Sequence, residues 1–184
     1  MVSRNFIKPH PVGIDWTIQD VQQEVYNFLT SAKSKWVGPI QGFGRAYKNT
    51  EGWQAAIPEW YRGPDYIPVY FDDTYSCNFF FLEEQSHDTK DEVVFEAKVK
   101  LVFMLDLNKV RPDLEDPRPD EHVRIQMLKF LREISDGRFT IKGIQKGIDD
   151  VFAGYDKSKI QLNDFGKKHT FAVRLTLTYY TNDC

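Results

Sequence analysis

The sequence has little of several features that would place it in a common functional class. Its cysteines, Cys77 and Cys184, are too few for a disulfide framework or a cysteine-based metal site. Residues 1–10 lack the apolar run of a signal peptide, and no stretch approaches the roughly 18 apolar residues that span a bilayer. These absences argue against a disulfide scaffold or a helical membrane protein, and we expect a reduced, cytoplasmic chain.

Runs of positive charge are missing too. The formal net charge is −3, and lysines that lie close together occur only in short, scattered groups. Nonspecific binding to nucleic acid relies on a basic stripe that neutralises phosphates. We therefore expect these lysines to lie on solvated surfaces and not along a phosphate track.

The spacings that mark catalytic and metal-binding sites are also absent. Gly42-x-Gly44 is not followed by Gly-Lys-Ser/Thr or by a helix start, which favours a bulge over a phosphate loop. The acidic pair Asp72–Asp73 is typical of a solvated turn, and His87 has no neighbouring nucleophile. We expect no catalytic, metal-binding or cofactor-binding residues and no cofactor.

Alternation of apolar and polar residues is what the sequence does have, most clearly in residues 92–108 (EVVFEAKVKLVFMLDLN). Every second residue from Phe95 to Leu107 is apolar, which is the period of a strand with one face on a core. At Val102 and Met104 the other face is apolar as well. The pattern predicts a long central strand that is covered on both sides in its middle.

Two amphipathic helices and a closing strand are predicted around it. The first helix follows Thr17 as N-cap and carries an apolar stripe to Ala32. The second is capped at Asp120 and ends before Gly137, and a short third helix is predicted from Ile144 to Phe152. Residues 169–182 alternate again, which predicts a strand antiparallel to the central one.

The remaining segments divide into short strands and polar connections. Strands are predicted at residues 40–49, 69–72, 76–83 and 139–143, and loops at 50–68, 84–91 and 110–119. Helices grouped on one side of an antiparallel or mixed sheet define an α+β fold. We expect one domain, residues 1–184, with an aromatic arm at about 50–68 and a proline-rich loop at about 110–119.

This order of elements resembles the tail terminator and tail-completion (neck) proteins of long-tailed bacteriophages. Two stretches carry most of the likeness: VFEAKVKLVFMLDL followed by DEHVRIQMLKFLREI, and HTFAVRLTLTYY near the end. The chain also looks like small uncharacterised proteins encoded beside virion genes in phages and prophages of Bacteroidetes. The simplest members of the tail terminator family lack such an aromatic arm and proline-rich loop. These departures leave two alternatives, the terminator itself or another neck or ring component.

The resemblance implies a structural virion protein that forms a ring, commonly a hexamer, with a dodecamer as the other expected state. Such a ring would end tail-tube growth or join the tube to the head connector. Its partners would be copies of itself and other neck and tail proteins, with DNA only passing through a channel. It would assemble in the bacterial host cytoplasm, catalyse no reaction and contact no membrane.

No motif of that family identifies single residues, so interface candidates come from exposed-looking segments. They lie on the aromatic arm, on the proline-rich loop and on the polar face of the closing strand: Trp53, Trp60, Tyr61, Tyr66, Arg111, Asp113, Glu115, Arg118, Arg174, Thr176, Thr178 and Tyr180. The aromatics could instead only cover the core.

Two alternative functions stay open. A small enzyme or ligand-binding protein would need a pocket that unites His87 or His169 with Asp72 and Asp73. A single-stranded nucleic-acid-binding module would need Trp53, Trp60 or residues 79–81 exposed beside a basic groove.

Overall fold

The computed structural model describes residues 2–52, 54–70, 72–115, 119–160 and 168–181. They form an α+β fold in which a mixed sheet dominates. The helices are α1 (Ile14–Leu29), α2 (Leu107–Val110), α3 (Asp120–Ile134) and α4 (Gly147–Val151). The strands are β1 (Arg4–Asn5), β2 (Ile40–Glu51), β3 (Gln54–Arg62), β4 (Asp65–Pro68), β5 (Cys77–Thr89), β6 (Val94–Asp106), β7 (Phe139–Lys146) and β8 (Lys168–Tyr180).

The predicted central strand is β6, and its place in the sheet is confirmed. The strand order is β4-β3-β2-β5-β6-β8-β7, with β1 pairing beside the first residues of β2. β6 and β8 are antiparallel and stay in register over their whole length, from Val94 opposite Tyr180 to Asp106 opposite Lys168. The predicted antiparallel closing strand is therefore confirmed as well.

Two parallel pairs make the sheet mixed. β2 runs parallel to β5, with Ile40 opposite Cys77 and Ala46 opposite Leu82. β1 also runs parallel to β2, and α1 connects these two strands. Parallel neighbours need a crossover connection of about a dozen residues or more, which a helix supplies. The N-terminal third of the chain thus follows a β-α-β path, and the rest is mainly antiparallel.

Apolar side chains fill both faces of the sheet, as Val102 and Met104 predicted. One cluster combines residues of α1 and α3 with inward residues of β5, β6 and β8, among them Phe79, Phe103 and Phe171. The second cluster contains Val102 and Met104 together with residues from β2, β3, β5, β8, α4 and the segments around Val69 and Ile160. The middle of β6 is buried from both sides.

The predicted N-caps of the two long helices are wrong, the first by four residues and the second by one. α1 begins at Ile14, and its N-cap residue is Gly13 with φ 55°, a conformation that glycine adopts at little cost. Thr17 lies inside the helix and is buried. Asp120 is the first helical residue of α3, and Pro119 occupies the N-cap position. In both helices an acidic residue in the first turn, Asp15 or Asp120, faces the positive end of the helix dipole.

Two predicted loops are strands instead. Residues 54–68 form the β3–β4 hairpin, and the polar segment after Glu83 continues β5 as far as Thr89. Proline and tryptophan in the first segment and polar residues in the second favoured loops. Proline has no backbone N–H to donate. An edge strand such as β4 tolerates it nevertheless, since its outward-facing positions have no neighbouring strand with which to pair.

Three other boundaries shift. Val69 and Tyr70 lie outside any strand, and the Asn78 side chain donates to both carbonyls at 2.5 and 3.0 Å. β7 extends to Lys146, so Ile144 belongs to a strand and the third helix starts only at Gly147. Residues 111–115 are non-helical, in agreement with the predicted proline-rich loop.

Replacing Phe103 by alanine should destabilise the fold strongly. The ring is fully buried on β6 and stacks on Phe171 with a centroid distance of 4.9 Å. Phe→Ala in a core costs about 3–5 kcal/mol. Urea unfolding should show this loss, whereas Lys98→Ala on the exposed side of the same strand should change stability by about 0.5 kcal/mol or less. Similar losses in the two variants would contradict the assignment of the faces of β6.

Candidate functional site

The aromatic segment forms a hairpin at one end of the sheet. Arg62 and Asp65 are paired across a two-residue turn, and Gly63 has φ 67°, as the first central position of a type II′ turn requires. The side chains of Tyr61 and Tyr66 are 40% and 52% exposed, and their ring centroids lie 5.1 Å apart. The hairpin therefore presents a pair of tyrosines to solvent.

Trp60 lies on the other side of the hairpin. It is 8% exposed and packs against Phe6 and Phe43, with ring centroids 5.3 and 6.2 Å away. Its indole packs into the core beneath the hairpin. For Trp60, the alternative that the aromatics of the arm cover the core is therefore correct. Trp53, another predicted contact residue, lies outside the described residues.

A cleft separates the hairpin from the N-terminal segment. Its volume is about 570 Å³, within the range of about 300–1,000 Å³ that is typical of ligand pockets. Aromatic and aliphatic side chains form most of its lining, with one cation on each wall: Phe6, Ile7, Lys8, Trp60, Tyr61 and Arg62. Trp60 and Tyr61 thus lie at one site, although only Tyr61 is well exposed.

A network of charged side chains lies next to this cleft and begins at Lys8. The Lys8 ammonium donates to the Asp15 carboxylate at 2.6 Å, and Arg45 Nη2 donates to the same carboxylate at 3.2 Å. Arg45 Nη1 donates to Glu83 at 2.7 Å. The network therefore connects the N-terminal segment, α1, β2 and β5.

The carboxylates hold the two cations in their charged forms. Burial alone would lower the pKa of Arg45, but Asp15 and Glu83 outweigh it and raise that pKa above the usual value. Burial likewise acts to lower the pKa of Lys8, and the hydrogen bond to Asp15 raises it overall. Asp15 is 7% exposed, so this is a buried ionic group in which each charge has a partner.

His87 extends the network to the closing strand. A register shift in β5 between Glu83 and His87 lets these two side chains meet, and Nε2 of His87 donates to the carboxylate, which can only accept. Nδ1 of His87 lies 2.6 Å from the Tyr179 hydroxyl. Burial raises the pKa of Tyr179, and the Glu83 charge adds to that effect, so the phenol stays protonated.

The structure does not bring the histidines to the acidic pair that an enzyme hypothesis invoked. Asp72 accepts from Thr74 in its own turn, and Asp73 pairs with Lys168 at 2.5 Å. His169 lies 2.9 Å from Arg124. The described residues therefore do not form the pocket that the enzyme alternative would need, because strand register places each of these groups beside a different partner.

Trp60 and the three phenylalanines at 79–81, the residues for base stacking that the structure describes, are buried. Phe79, Phe80 and Phe81 are fully buried between the two clusters, and Trp60 is 8% exposed. None of these four rings has the free face on which a base stacks.

In the proline-rich loop, predicted contact residues bind one another. Arg111 is 8% exposed and forms a bidentate pair with Asp113, with distances of 2.7 and 2.8 Å. Glu115 is exposed. Arg118 lies outside the described residues. In this loop Glu115 and Asp113 are therefore at the surface, with Asp113 already paired to the buried Arg111.

The closing strand is an interior strand. β8 lies between β6 and β7, so its backbone is paired on both sides and only its side-chain face can meet a partner. Arg174 and Tyr180 are exposed on it, whereas Thr176 and Thr178 are half-buried. The terminal strands of the described sheet are β4 and β7. A backbone contact through the sheet would therefore use β4 or β7.

Comparison with known proteins adds no family. No protein-family model matches the chain, and no curated protein matches its sequence significantly. Among the described residues, no helix is long and apolar enough to cross a membrane. In the same part of the chain, histidine, cysteine, aspartate and glutamate side chains do not converge in groups of three or more that could hold a metal ion.

Sequence reasoning missed most of the residues that the fold brings together here. Asp15, Arg45, Glu83 and Tyr179 come from four different elements and share no spacing. Only His87 had been singled out, and with other partners. A charged residue on the apolar side of a strand, such as Arg45 in β2, is the signal that could have pointed to the network.

Replacing Asp15 by asparagine should destabilise the protein more than the same change at Asp20. Asp15→Asn leaves Lys8 without its counter-charge and Arg45 with Glu83 alone, and because both cations keep some solvent contact we expect a loss of about 2 kcal/mol. Asp20 pairs with Arg138 at a more exposed site on the same helix, where an ion pair contributes about 0–1 kcal/mol. Thermal unfolding of both variants compares them. A larger loss for Asp20→Asn would contradict a buried role of the Asp15 network.

Proposed function

We propose that this protein is an assembly subunit of a bacteriophage neck or tail, and that it forms a closed ring which ends the tail tube or joins it to the head connector. Exposed tyrosines on the β3–β4 hairpin are the observation that carries the proposal. Tyrosine offers a large contact area with a polar end and is enriched at protein interfaces. The resemblance in element order supplies the neck or tail as the place of assembly.

The arrangement of the sheet supports head-to-tail contacts. In the proposal, α1 and α3 cover one side of the sheet, as their shared cluster supports, and β4 and β7 stand at its two ends. Two different edges on one subunit suit a heterologous contact, which closes into a ring when the rotation between neighbours divides a full turn. Six copies is the expected number from the resemblance.

Other surfaces would then serve neighbouring layers. Glu115 on the proline-rich loop and the exposed Arg174 and Tyr180 on β8 are available for other neck and tail proteins. A mildly acidic chain suits a DNA channel, since a strongly basic lining would retain phosphates. The protein would function in the virion, and its role would be binding without bond-breaking.

Ligand binding is a second candidate function, and the 570 Å³ cleft between the hairpin and residues 5–9 favours it. Its apolar lining with Lys8 and Arg62 on opposite walls suits an apolar group that carries negative charge. The cleft and the exposed tyrosines share Tyr61, so both functions would involve the same end of the sheet.

Native mass spectrometry over a concentration series, with negative-stain images at the highest concentration, tests the ring. We expect closed rings of about six copies, the number that the resemblance implies and a closed heterologous contact permits. The double variant Tyr61→Ser/Tyr66→Ser should leave the circular dichroism spectrum unchanged, because both tyrosine side chains are exposed in the protomer. The same variant should no longer form the oligomeric rings, because it lacks the proposed contact surface.

Ile125→Ser is the matched control. Ile125 is 43% exposed on α3, away from the hairpin, and its replacement should leave ring formation unchanged. Rings that persist in the double tyrosine variant, or that are lost equally in Ile125→Ser, would show that the hairpin is not the contact surface. A monomer at every concentration in the unmodified protein would argue against self-assembly and favour the ligand-binding candidate.

A further inference from the structure

Three cationic side chains lie together on the face of the sheet that carries the second cluster. Lys100 of β6 is the register partner of Leu82 in β5 and of Arg174 in β8. Lys48 of β2 follows two residues after Ala46, which is paired with Leu82. Leu82 and Ala46 belong to the second cluster, so the three cations share its side of the sheet.

None of these cations forms an ion pair with a carboxylate in the part of the chain that the structure describes. Lys100 Nζ donates to the Val151 carbonyl at 3.5 Å, and Arg174 Nη2 donates to the Lys142 carbonyl at 3.4 Å. Lys48 Nζ lies 5.8 Å from the centre of the Tyr155 ring. Their contacts are thus with neutral groups, whereas Lys8, Arg45 and Arg138 are each paired with carboxylates.

Lys48 and Lys100 also line a cavity of about 220 Å³. Its other walls are an apolar floor and an aromatic side, together with two acidic residues of β5: Leu82, Val151, Ala153, Tyr155, Glu83 and Glu84. The volume is below the usual range for drug-sized ligands, so it fits a small molecule. Burial raises the pKa of Tyr155, which keeps its hydroxyl protonated and able to donate.

The charge near the cavity remains positive after its acids are counted. Glu83 is neutralised by Arg45 at 2.7 Å. Glu84 and Asp150 are close enough to Lys100 to attract its charge. These two negative charges compare with three positive ones, on Lys48, Lys100 and Arg174. Burial chiefly lowers the pKa of Lys100, and the charges of Arg174 and Lys48 lower it further. Bringing like charges together costs free energy that a bound anion would recover.

We propose that this cavity is a binding site for a small organic anion, a carboxylate or phosphate carried on an apolar body. Lys48 and Lys100 bind the anionic group, and Arg174 adds attraction from the neighbouring strand. The apolar body rests on Leu82, Val151 and Ala153 beside the Tyr155 ring. Both anions share the chemistry that two ammonium groups and a phenol recognise. This site goes beyond the assembly function and does not depend on it.

Isothermal titration calorimetry with phenyl phosphate tests the proposal, with benzoate as the carboxylate probe and phenol as the uncharged one. We expect saturable binding of one phenyl phosphate or benzoate per chain at low ionic strength, and no saturable binding of phenol. Comparing the two anions tells which group the site prefers. Absence of saturable binding by either anion would overturn the proposal.

Substitutions locate the binding. Lys48→Gln and Lys100→Gln should each lower the affinity for the anion by about tenfold, the loss expected for one charge-assisted hydrogen bond. Lys98→Gln is the control, because Lys98 is exposed two residues before Lys100 on the same face of β6 and does not line the cavity. An equal loss for Lys98→Gln would show a diffuse surface attraction instead of a site.

A nuclear magnetic resonance titration of the lysine side chains gives a readout that folding defects in the variants cannot affect. In the unmodified protein, saturating phenyl phosphate should raise the pKa of Lys100 and leave the side-chain resonances of Lys98 unchanged. A pKa of Lys100 that does not respond would overturn the proposal. The Tyr61→Ser/Tyr66→Ser variant should bind phenyl phosphate as the unmodified protein does, which keeps this site distinguishable from assembly.

Discussion

The structure depends above all on the antiparallel pair of β6 and β8, which stays in register over thirteen residues of each strand. One face of this pair contributes to the cluster that contains residues of α1 and α3, and the middle of the other face contributes to the second cluster. Because side chains alternate along a strand, a slip of one residue would move every apolar side chain to the wrong face. The same register sets the positions of the charged residues on these two strands, such as Lys100 opposite Arg174.

Electrostatic balance differs between the two faces. On the first face, Lys8 and Arg45 are each matched by Asp15, and Arg45 also by Glu83, which joins the N-terminal segment to β5. Such a group stabilises one arrangement of these elements, since removing Asp15 leaves Lys8 without its partner and removes one of the two partners of Arg45. On the second face, Lys48 and Lys100 remain beside a cavity without such partners among the described residues.

The sequence predicted elements whose periodicity is strong and failed where geometry depends on distant pairing. Alternation from Phe95 to Leu105 and from Phe171 to Tyr179 was sufficient for the two central strands. The hairpin at Tyr61 and Tyr66 was missed because the three prolines of residues 54–68 favoured a loop, although Pro68 lies on the edge strand β4, which tolerates it. The ionic group could not be predicted, since Arg45 meets Glu83 only through strand register and a bulge before His87.

The unbalanced cations are informative because the chain as a whole is not basic. With a formal net charge of −3, a random surface would place acids near most lysines. Lys48, Lys100 and Arg174 come instead from three strands, and the register holds them together at a cost that desolvation increases. Repulsion among these cations opposes the stability of the fold, and a bound molecule that brings negative charge would relieve it. The hairpin contributes no residue to the 220 Å³ cavity, and association and anion binding are therefore separable properties of one sheet.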